Sequence, residues 1–279
     1  MTGPPELMSA PQWLAGLRAD LGLDDDGHLA AALVTRGTAV GAFVRSRPLT
    51  TTRKSSVSDV VTEADHQAEA DIVAALREFR PGDGILGEEG AADESTTGRS
   101  WIIDPIDGTY NFASRIGNWC SAIARLEPEG ALIGAVRSGS SGESWLGRVD
   151  ADGAGELRLD GRLVPPLIEV PLADVAMTTY AHPTRMGDPD LIEPWLAAAG
   201  GAATVRMLGS GSLDLAAVAT GRAGAFLQSG TADWDWYPGL ALVRAAGGVG
   251  EVVHHRGHRW HIAGTAGVVS EVIERLTSA

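Results

Sequence analysis

The sequence predicts a layered α/β protein of the α+β type, in which helices pack on sheets. Segments whose apolar residues have helical spacing alternate with short strand-like runs along the 279 residues of the chain. No internal repeat or low-complexity linker interrupts this alternation. Because some strands are close neighbours in sequence and others are separated by helices, the pattern indicates stacked α and β layers.

The predicted helices show apolar residues three and four positions apart and polar residues at their ends. Glycine and proline end several of them, as at residues 80–84 and at Gly247-Gly248. In chain order, we expect helices at residues 11–17, 28–44, 62–79, 190–199, 212–220, 235–246 and 270–276.

The predicted strands are short apolar or alternating runs between the helices. Residues 137–170 alternate apolar residues with Gly and Asp, which indicates a meander of antiparallel strands, whereas residues 91–100 form a polar loop. The last two strands flank a turn at Gly257. Further strands are expected at residues 85–86, 101–104, 120–126, 132–136, 175–180, 204–208 and 225–227.

The charge balance argues against two classes of partner. The chain has 22 Lys and Arg against 36 Asp and Glu, a formal net charge of −14, whereas nucleic acid or an anionic membrane surface would require a basic face. An anionic small substrate stays compatible with this charge, because bound divalent cations reverse the local sign of a site.

Targeting signals are not evident in the sequence. No apolar run reaches the roughly 18 residues of a membrane span, and the N-terminus has no basic region followed by an apolar core, so we expect no signal peptide. The single Cys120 excludes an internal disulfide and fits a reducing compartment. We therefore expect a cytoplasmic protein.

The most informative segment is residues 101–112, Trp-Ile-Ile-Asp-Pro-Ile-Asp-Gly-Thr-Tyr-Asn-Phe. Its apolar run ends at Asp104 and Asp107, which flank Pro105. Two carboxylates about 4 Å apart repel by roughly 4 kcal/mol at an effective dielectric constant of about 20. A fold that brings them together therefore binds a cation or holds a proton between them. Oxygen ligands favour Mg²⁺ over a thiolate-binding metal.

Other acidic residues stand where the chain changes direction. Glu88 and Glu89 lie between two glycines after a strand, and Asp65 and Asp235 lie near predicted helix starts. On its own, each has an ordinary structural explanation as a helix cap or an exposed turn. Two adjacent isoleucines imply burial beside Asp104, where an unpaired carboxylate is costly.

Five motifs in chain order resemble the inositol monophosphatase family of Mg²⁺-dependent, lithium-sensitive phosphatases. Residues 101–112 are similar to the first family signature and residues 234–248 to the second. Lys54 with residues 59–69 matches the N-terminal helix motif, residues 87–89 the metal-binding turn, and residues 209–221 the substrate-side helix. The match runs from about residue 28 to the C-terminus.

The resemblance implies a layered αβαβα sandwich of the inositol monophosphatase and fructose-1,6-bisphosphatase type. Residues 1–26 are then an N-terminal extension, and residues 27–279 form a single phosphatase domain. Within that domain, residues 27–170 form a metal-binding half and residues 171–279 a substrate-side half. A homodimer is the family expectation.

The resemblance also implies a metal centre with two Mg²⁺ ions, or three with a weaker additional ion. The implied ligands are Glu88, Asp104, the Ile106 carbonyl, Asp107 and Asp235, with Asp104 bridging both ions. Two ions about 4 Å apart can clamp the attacking and leaving oxygens of an in-line displacement. Behind this centre, the resemblance places supporting residues at Thr62, Lys54 and Glu89.

Catalytic roles follow for Glu88, Asp65 and Thr109. The Thr109 hydroxyl, beside Glu88 or Asp65, would orient a Mg²⁺-activated water, so that no phospho-enzyme forms. The backbone N–H groups of Gly108 and Thr109, together with Asp107, would hold the phosphate, since they open a helix.

The substrate side departs from the family pattern. The implied substrate contacts are Gly209, Ser210, Gly211, Gln228 and Asp235. Gln228 stands where members that act on inositol phosphate carry Glu, and Gly224 stands where they carry Asp. Because Gln has no charge, Gln228 would bind a cationic substrate less well and tolerate a second phosphate or carboxylate better.

Four histidines cluster around Gly257: His254, His255, His258 and His261. A transition-metal site is one interpretation of this cluster. Alternate residues of a hairpin face opposite ways, and this favours a structural role on a surface turn.

The sequence thus predicts a Mg²⁺-dependent phosphomonoesterase for a small phosphorylated polyol or sugar, with inositol 1-phosphate first among the substrates. Fructose-1,6-bisphosphatase or histidinol-phosphate phosphatase activity is the alternative within the family. A non-catalytic regulator that retains the fold is the alternative from another class, and the complete acidic set argues against it.

Overall fold

The computed structural model describes residues 7–20, 22–48, 51–53 and 60–279. Lys54, one of the supporting residues expected from the sequence, lies outside these ranges. The helices of the described chain are α1 (Ala10–Arg18), α2 (Asp26–Arg45), α3 (Glu63–Phe79), α4 (Thr109–Ala113), α5 (Pro189–Ala199), α6 (Gly211–Ala219), α7 (Asp233–Ala245) and α8 (Ala266–Thr277), with short 3-10 helices at Leu172–Asp174 and Pro183–Arg185.

The strands form one ribbon and two larger sheets. They are β1 (Thr51–Arg53), β2 (Val60–Thr62), β3 (Gly84–Gly87), β4 (Ala92–Asp93), β5 (Ser100–Asp107), β6 (Cys120–Leu126), β7 (Leu132–Ser138), β8 (Ser144–Val149), β9 (Gly155–Leu159), β10 (Arg162–Leu163), β11 (Ala176–Tyr180), β12 (Thr204–Arg206), β13 (Ala225–Ser229), β14 (Val249–His255) and β15 (His258–Gly264). The eight-stranded sheet has the order β10-β9-β8-β7-β6-β5-β3-β4 and the five-stranded sheet the order β12-β11-β13-β15-β14, while β1 pairs with β2.

Helices cover both faces of the two larger sheets. One face of the eight-stranded sheet packs on α2 and α3, through residues such as Leu33, Ile72 and Ile103. Its other face packs on α6 and α7, which also cover the five-stranded sheet, and α5 and α8 cover the outer face of that second sheet. The αβαβα sandwich expected from the sequence is confirmed.

Strand β5 is central to the larger sheet. It pairs in parallel with β3 and antiparallel with β6, and it is buried from Trp101 to Asp107 because helices cover both faces. Its pairing with β6 shifts register between Asp104 and Asp107. Such an irregularity ends the regular ladder and turns side chains in a new direction.

Helix α7 lies directly on the larger sheet because three strands carry glycine beneath it. Side chains at Gly134, Gly147 and Gly155 would collide with α7, and a Cβ at Gly134 would lie 2.5 Å from the Ala241 Cβ and also meet the Pro238 carbonyl. This close approach sets the position of the α7 N-terminus over the end of β5.

Helix α2 is, within the described ranges, the one helix that is long and apolar enough by composition to cross a membrane. Because α2 contains Asp26, Arg36 and Arg45, it is not an uninterrupted apolar run, and the sequence-based expectation that no such run reaches the length of a membrane span is not contradicted. Most of the apolar part of α2 is buried against α3, β6 and β7, as is usual for a core helix.

The N-terminal helix α1 packs onto the same layer as α2 and α3. Leu17 and Leu23 are buried in the apolar cluster between α2, α3 and the eight-stranded sheet. In the same layer, the Arg36 Nε donates to Asp71 Oδ2 at 2.8 Å. Arg36 Nη1 also donates to the Met8 carbonyl. The division of the chain at residues 26 and 170 stays a prediction.

The elements differ from the predicted ones mainly at their ends. The polar loop at residues 91–100 contains the short strand β4 and the start of β5, the meander ends at Leu163, and α7 begins two residues before Asp235. The predicted hairpin at Gly257 is confirmed, but His261 on β15 is fully buried, because that strand lies between β13 and β14 and not at the surface.

We expect Gly134→Ala to destabilise the protein, because the added methyl group must push against the backbone of α7. Overpacking of this kind costs about 1–3 kcal/mol, measured as a lower urea midpoint of unfolding. Gly187→Ala is the matched control, since a Cβ at Gly187 meets nothing within 4 Å. Equal midpoints for the two variants would contradict the close packing of α7.

Candidate active site

The carboxyl ends of the parallel strands β3 and β5 meet at the first turns of four helices. Glu88 follows β3, and the last residues of β5 include Asp104 and Asp107. The helices that begin here are α3, α4, α6 and α7, which bring Asp65, Thr109, Ser210 and Asp235 to the same edge of the sheet. Because helix N-termini attract negative charge, this edge can bind an anion. Its carboxylates can also bind the metal ions expected from the sequence.

Three aspartates converge at this edge. Carboxylate oxygens of Asp104, Asp107 and Asp235 all lie within 4.8 Å of one another, so that these residues could hold a metal ion. Asp104 and Asp107 are buried, and Asp235 is half-buried in the first turn of α7. The register shift of β5 and the close packing of α7 together produce this convergence.

The turn after β3 is held from behind by Glu69 of α3. Glu69 accepts the backbone N–H of Glu89 at 2.8 Å and that of Ala91 at 3.0 Å. The Glu88 N–H donates to the Ile103 carbonyl of β5, which places Glu88 next to the aspartates. The buried carboxylate of Glu89 lies 3.7 Å from His66 Nδ1.

Asp65 and Thr109 form a second group at the same edge. The Thr109 hydroxyl lies 3.1 Å from Asp65 Oδ1 and 3.0 Å from the Ile106 carbonyl, and it can donate to either. Asp65 also closes the start of α3, since its Oδ2 accepts the Thr62 backbone N–H at 2.8 Å. The N-terminal cap of α3 thus fixes the carboxylate that faces Thr109.

Asp107 connects the two halves of the molecule. Its carboxylate accepts the Ser210 hydroxyl at 2.9 Å and the backbone N–H groups of Gly211 at 3.2 Å and Ser212 at 2.6 Å. These donors form the N-terminus of α6, where a carboxylate is stabilised by free N–H groups and by the helix dipole.

Asn111 holds the loop before α6 against α4. Its Nδ2 lies 2.8 Å from the Asn118 carbonyl and 2.7 Å from the Leu208 carbonyl. Gly108 and Gly209, both with positive φ, permit the two loops to touch, since a Cβ at Gly108 would lie 3.0 Å from the Gly209 carbonyl. The start of α4 is therefore packed directly against the loop that leads into α6.

The clustered acids are unfavourable without a cation. Burial raises the pKa of Asp104 well above its ordinary value, and the charge of Glu88 raises it further. Burial, followed by the charge of Asp107, raises the pKa of Asp235 to about 7. Burial also raises the pKa of Asp107, although hydrogen bonds from Ser212 and Ser210 oppose this. Each shift reports that the ionised form lacks stabilisation in the protein alone.

Asp104 also has a buried oxygen without a partner. Its Oδ1 accepts no hydrogen bond from the residues that the structure describes, and a buried acceptor of this kind is costly. The donor set consists of carboxylate and carbonyl oxygens, which hard divalent cations prefer. The residues present therefore fit a metal ion.

Two further buried groups adjoin Asp107. Cys120 Sγ lies 3.7 Å from Asp107 Oδ2, and burial together with this charge raises the pKa of the thiol well above its ordinary value. Burial, followed by the charge of Asp107, raises the pKa of Asp214 to about 8. Both groups are therefore protonated at neutral pH.

Most of the residues selected from the sequence lie together at this edge. Gln228 lies at the end of β13 and lines a cavity together with Tyr180 and Trp195. The roles of the individual residues stay predictions.

Sequence reasoning missed several residues that hold the site. The sequence pattern does not point to Asn111, Cys120 or Asp214 as site residues, and it includes Glu69 only within the motif at residues 59–69. A signal was present for Asn111, which lies in the 101–112 signature. The contacts of Cys120 and Asp214 depend on strand register and on the docking of α6, which local sequence does not reveal.

Comparison with known proteins gives a consistent result. The sequence model of the inositol monophosphatase family matches residues 28–277. The inositol-1-monophosphatase of Rhizobium meliloti is 36% identical over 193 residues, which cover 68% of this chain and 71% of that protein. The Nus factor SuhB of Pseudomonas aeruginosa is 35% identical over 208 residues, covering 70% of this chain and 73% of that protein.

Among solved structures, the extragenic suppressor protein suhB of Bartonella henselae has the same fold, with a TM-score of 0.80 over 90% of this chain and 98% of that chain. Its sequence identity is 23%, so this likeness concerns the fold. The family match and the sequence relatives carry the assignment: the chain belongs to the inositol monophosphatase family and is a phosphoric monoester hydrolase.

Proposed function

We propose that the protein is a Mg²⁺-dependent phosphomonoesterase for small phosphorylated polyols or sugars, with inositol 1-phosphate as the first substrate to test. The observation that carries this proposal is the cluster of Asp104, Asp107 and Asp235 at helix N-termini, with an unpartnered buried oxygen on Asp104. Such a cluster suits cations that in turn hold a phosphate.

The proposed ligands are Glu88, Asp104, the Ile106 carbonyl, Asp107 and Asp235, for two Mg²⁺ ions or three. When bound, these ions supply Lewis-acid stabilisation of the charge on the phosphoryl oxygens and on the attacking and leaving oxygens. The oxygen-only donor set supports Mg²⁺ as the metal. Lithium sensitivity is proposed from the family resemblance.

The chain's own groups position the attacking water. If the Thr109 hydroxyl donates its proton to Asp65 or to the Ile106 carbonyl, its oxygen can accept a hydrogen bond from water. Burial raises the pKa of Asp65 to about 6, so at neutral pH this carboxylate is mainly ionised and can accept the hydrogen bond from the Thr109 hydroxyl. Gly108 and Thr109, at the start of α4, would orient the phosphate by their backbone N–H groups.

Direct attack by water requires no protein nucleophile. Cys120 is the one cysteine of the chain, and it is a poor nucleophile because the thiolate is the reactive form and burial keeps its proton bound. The Ser210 hydroxyl donates to Asp107. No phospho-enzyme is therefore part of the proposal.

The alcohol part of the substrate would lie towards the second half of the chain. Gly209, Ser210 and Gly211 precede α6 beside Asp107, and Gln228 lies seven residues before Asp235. Inositol 1-phosphate is ranked first, with fructose 1,6-bisphosphate and histidinol phosphate as alternatives.

A homodimer in the cytoplasm is also proposed. The apolar side chains of Ile116, Met207 and Leu208 are each more than two fifths exposed, and the hydrogen bonds of Asn111 bring their chain segments together. Exposed apolar residues in one place support a protein–protein contact.

We expect Asp235→Asn to lower kcat by at least about a hundredfold at saturating Mg²⁺. Loss of a residue that only hydrogen-bonds to a metal ligand lowers activity by up to about a hundredfold, and loss of a ligand itself should cost more. Asp233→Asn is the matched control, because Asp233 lies in the same helical turn and pairs with Arg259 at the surface. Excess EDTA should abolish hydrolysis by the wild type. Full activity in EDTA would contradict the metal dependence.

We expect Thr109→Ala to lower kcat by about a hundredfold, the lower range for loss of a group that handles a proton, with a smaller effect on KM. Thr109→Ser keeps the hydroxyl and should retain most of kcat. Steady-state kinetics on inositol 1-phosphate measure both parameters. Equal losses in the two variants would show that the methyl group, and not the hydroxyl, matters.

We expect no covalent intermediate during turnover. Acid quenching of the enzyme with a 32P-labelled substrate should leave the protein unlabelled, and Cys120→Ala should keep activity of the same order as the wild type. Stoichiometric labelling of the wild-type protein would refute direct attack by water.

A regulatory role is a second candidate, because one relative bears the name of a Nus factor. A binding function would not require the buried acidic cluster. An assay of that role with Asp235→Asn separates the two candidates, since a regulator would tolerate the substitution and a role that depends on hydrolysis would not.

A further inference from the structure

A cavity of about 170 Å³ lies at the carboxyl ends of the parallel strands β11 and β13. Its lining includes Arg185 and His182 from the segment after β11, and Gln228 and Ser229 from the end of β13. The aromatic ring of Trp195, from α5, forms part of the wall.

The guanidinium of Arg185 is positioned by a neutral partner. Its Nη2 donates to His258 Nδ1 at 3.1 Å, and His258 Nε2 lies 3.2 Å from Asp188 Oδ2. Because Nδ1 accepts from Arg185, the ring proton belongs on Nε2, where it faces Asp188. Across the described ranges, no carboxylate forms an ion pair with Arg185 itself.

The other acids of this region are already engaged. Asp190 and Glu193 of α5 face Arg256, and Asp233 faces Arg259. The positive charge of Arg185 is therefore left for a ligand in the cavity.

Ser229, another residue of this lining, carries a hydroxyl without a partner among the described residues. The Ser229 hydroxyl is buried and forms no hydrogen bond with the described residues, although an unsatisfied buried hydroxyl is costly. A guanidinium and a hydroxyl are donors that match the oxygens of a phosphate or a carboxylate.

The cavity lies beside the proposed active site. Tyr180, which lines it, has its pKa raised by burial and, second, by the charge of Tyr110. Tyr110 directly follows Thr109 on α4. Gln228 and Ser229 end β13, and residues 230–232 connect them directly to α7, whose first turn carries Asp235.

We propose that this cavity binds a second anionic group, a phosphate or a carboxylate, carried by the alcohol part of the substrate. This inference rests on the proposed phosphatase function, and it narrows the substrate class to phosphomonoesters with a second anion. Arg185 and Ser229 are its specificity-determining residues.

The kinetic test compares fructose 1,6-bisphosphate with fructose 1-phosphate, which lacks the second phosphate. Arg185→Gln should lower kcat/KM for the bisphosphate by about tenfold, equivalent to roughly 1.4 kcal/mol, and leave the monophosphate nearly unchanged. Arg185→Lys should fall between, since it keeps the charge but not the two-pronged donor. Arg244→Gln is the matched control, an exposed arginine in the last turn of α7.

A second measurement does not depend on activity. In excess EDTA, inorganic phosphate should raise the Tm of the wild type and of Arg244→Gln, and should raise that of Arg185→Gln less. Loss of this difference, or an unchanged preference for the bisphosphate in Arg185→Gln, would overturn the proposal. If phosphate binds at Arg185 but the substrate preference does not change, the cavity is a separate anion site and the substrate assignment is wrong.

An enzyme that hydrolyses neither fructose ester nor any other phosphomonoester would refute the proposed function. The phosphate-binding measurement in EDTA would then still report on the cavity by itself.

Discussion

The burial of several carboxylates at one point is the constraint on which the rest of this structure depends. Asp104, Asp107 and Asp235 approach within 4.8 Å of one another, and burial makes their ionised forms unfavourable. Such an arrangement persists only if the surrounding fold determines it and if positive charge or protons compensate it. Much of the architecture serves to hold these residues in place.

Each layer of the sandwich contributes one part of that arrangement. The register shift in β5 interrupts the regular pairing between Asp104 and Asp107. Glycines under α7 allow Asp235 to lie close to them, and the start of α3 holds Asp65 against Thr109. Asp107 then joins the halves, because it accepts hydrogen bonds from the N-terminus of α6. A change in the packing of α6 or α7 should therefore affect the chemistry even where it touches no ligand.

The proposed substrate side is built differently from the acidic edge. Its cavity is lined by Arg185, Ser229 and Gln228, and Gln228 stands where the family resemblance implies Glu. In the proposed assignment, the two ends of the active region differ in sign, with carboxylates for cations at one end and donors for an anion at the other. This difference would separate the metal chemistry from the choice of substrate.

The sequence by itself determined the layered fold, most helices and strands, and the acids that meet at the end of β5. Hydrophobic periodicity, helix caps and motifs in a fixed order are local signals in the sequence. When they agree with one another, they predict where each residue lies in the fold. Tertiary structure alone decided the contacts of Cys120, Asp214 and Asn111, the burial of His261, and the pairing of Arg185 with His258. These depend on strand register and on the docking of distant segments. One residue of slip in β6 or β15 would turn Cys120 or His261 to the opposite face of its sheet.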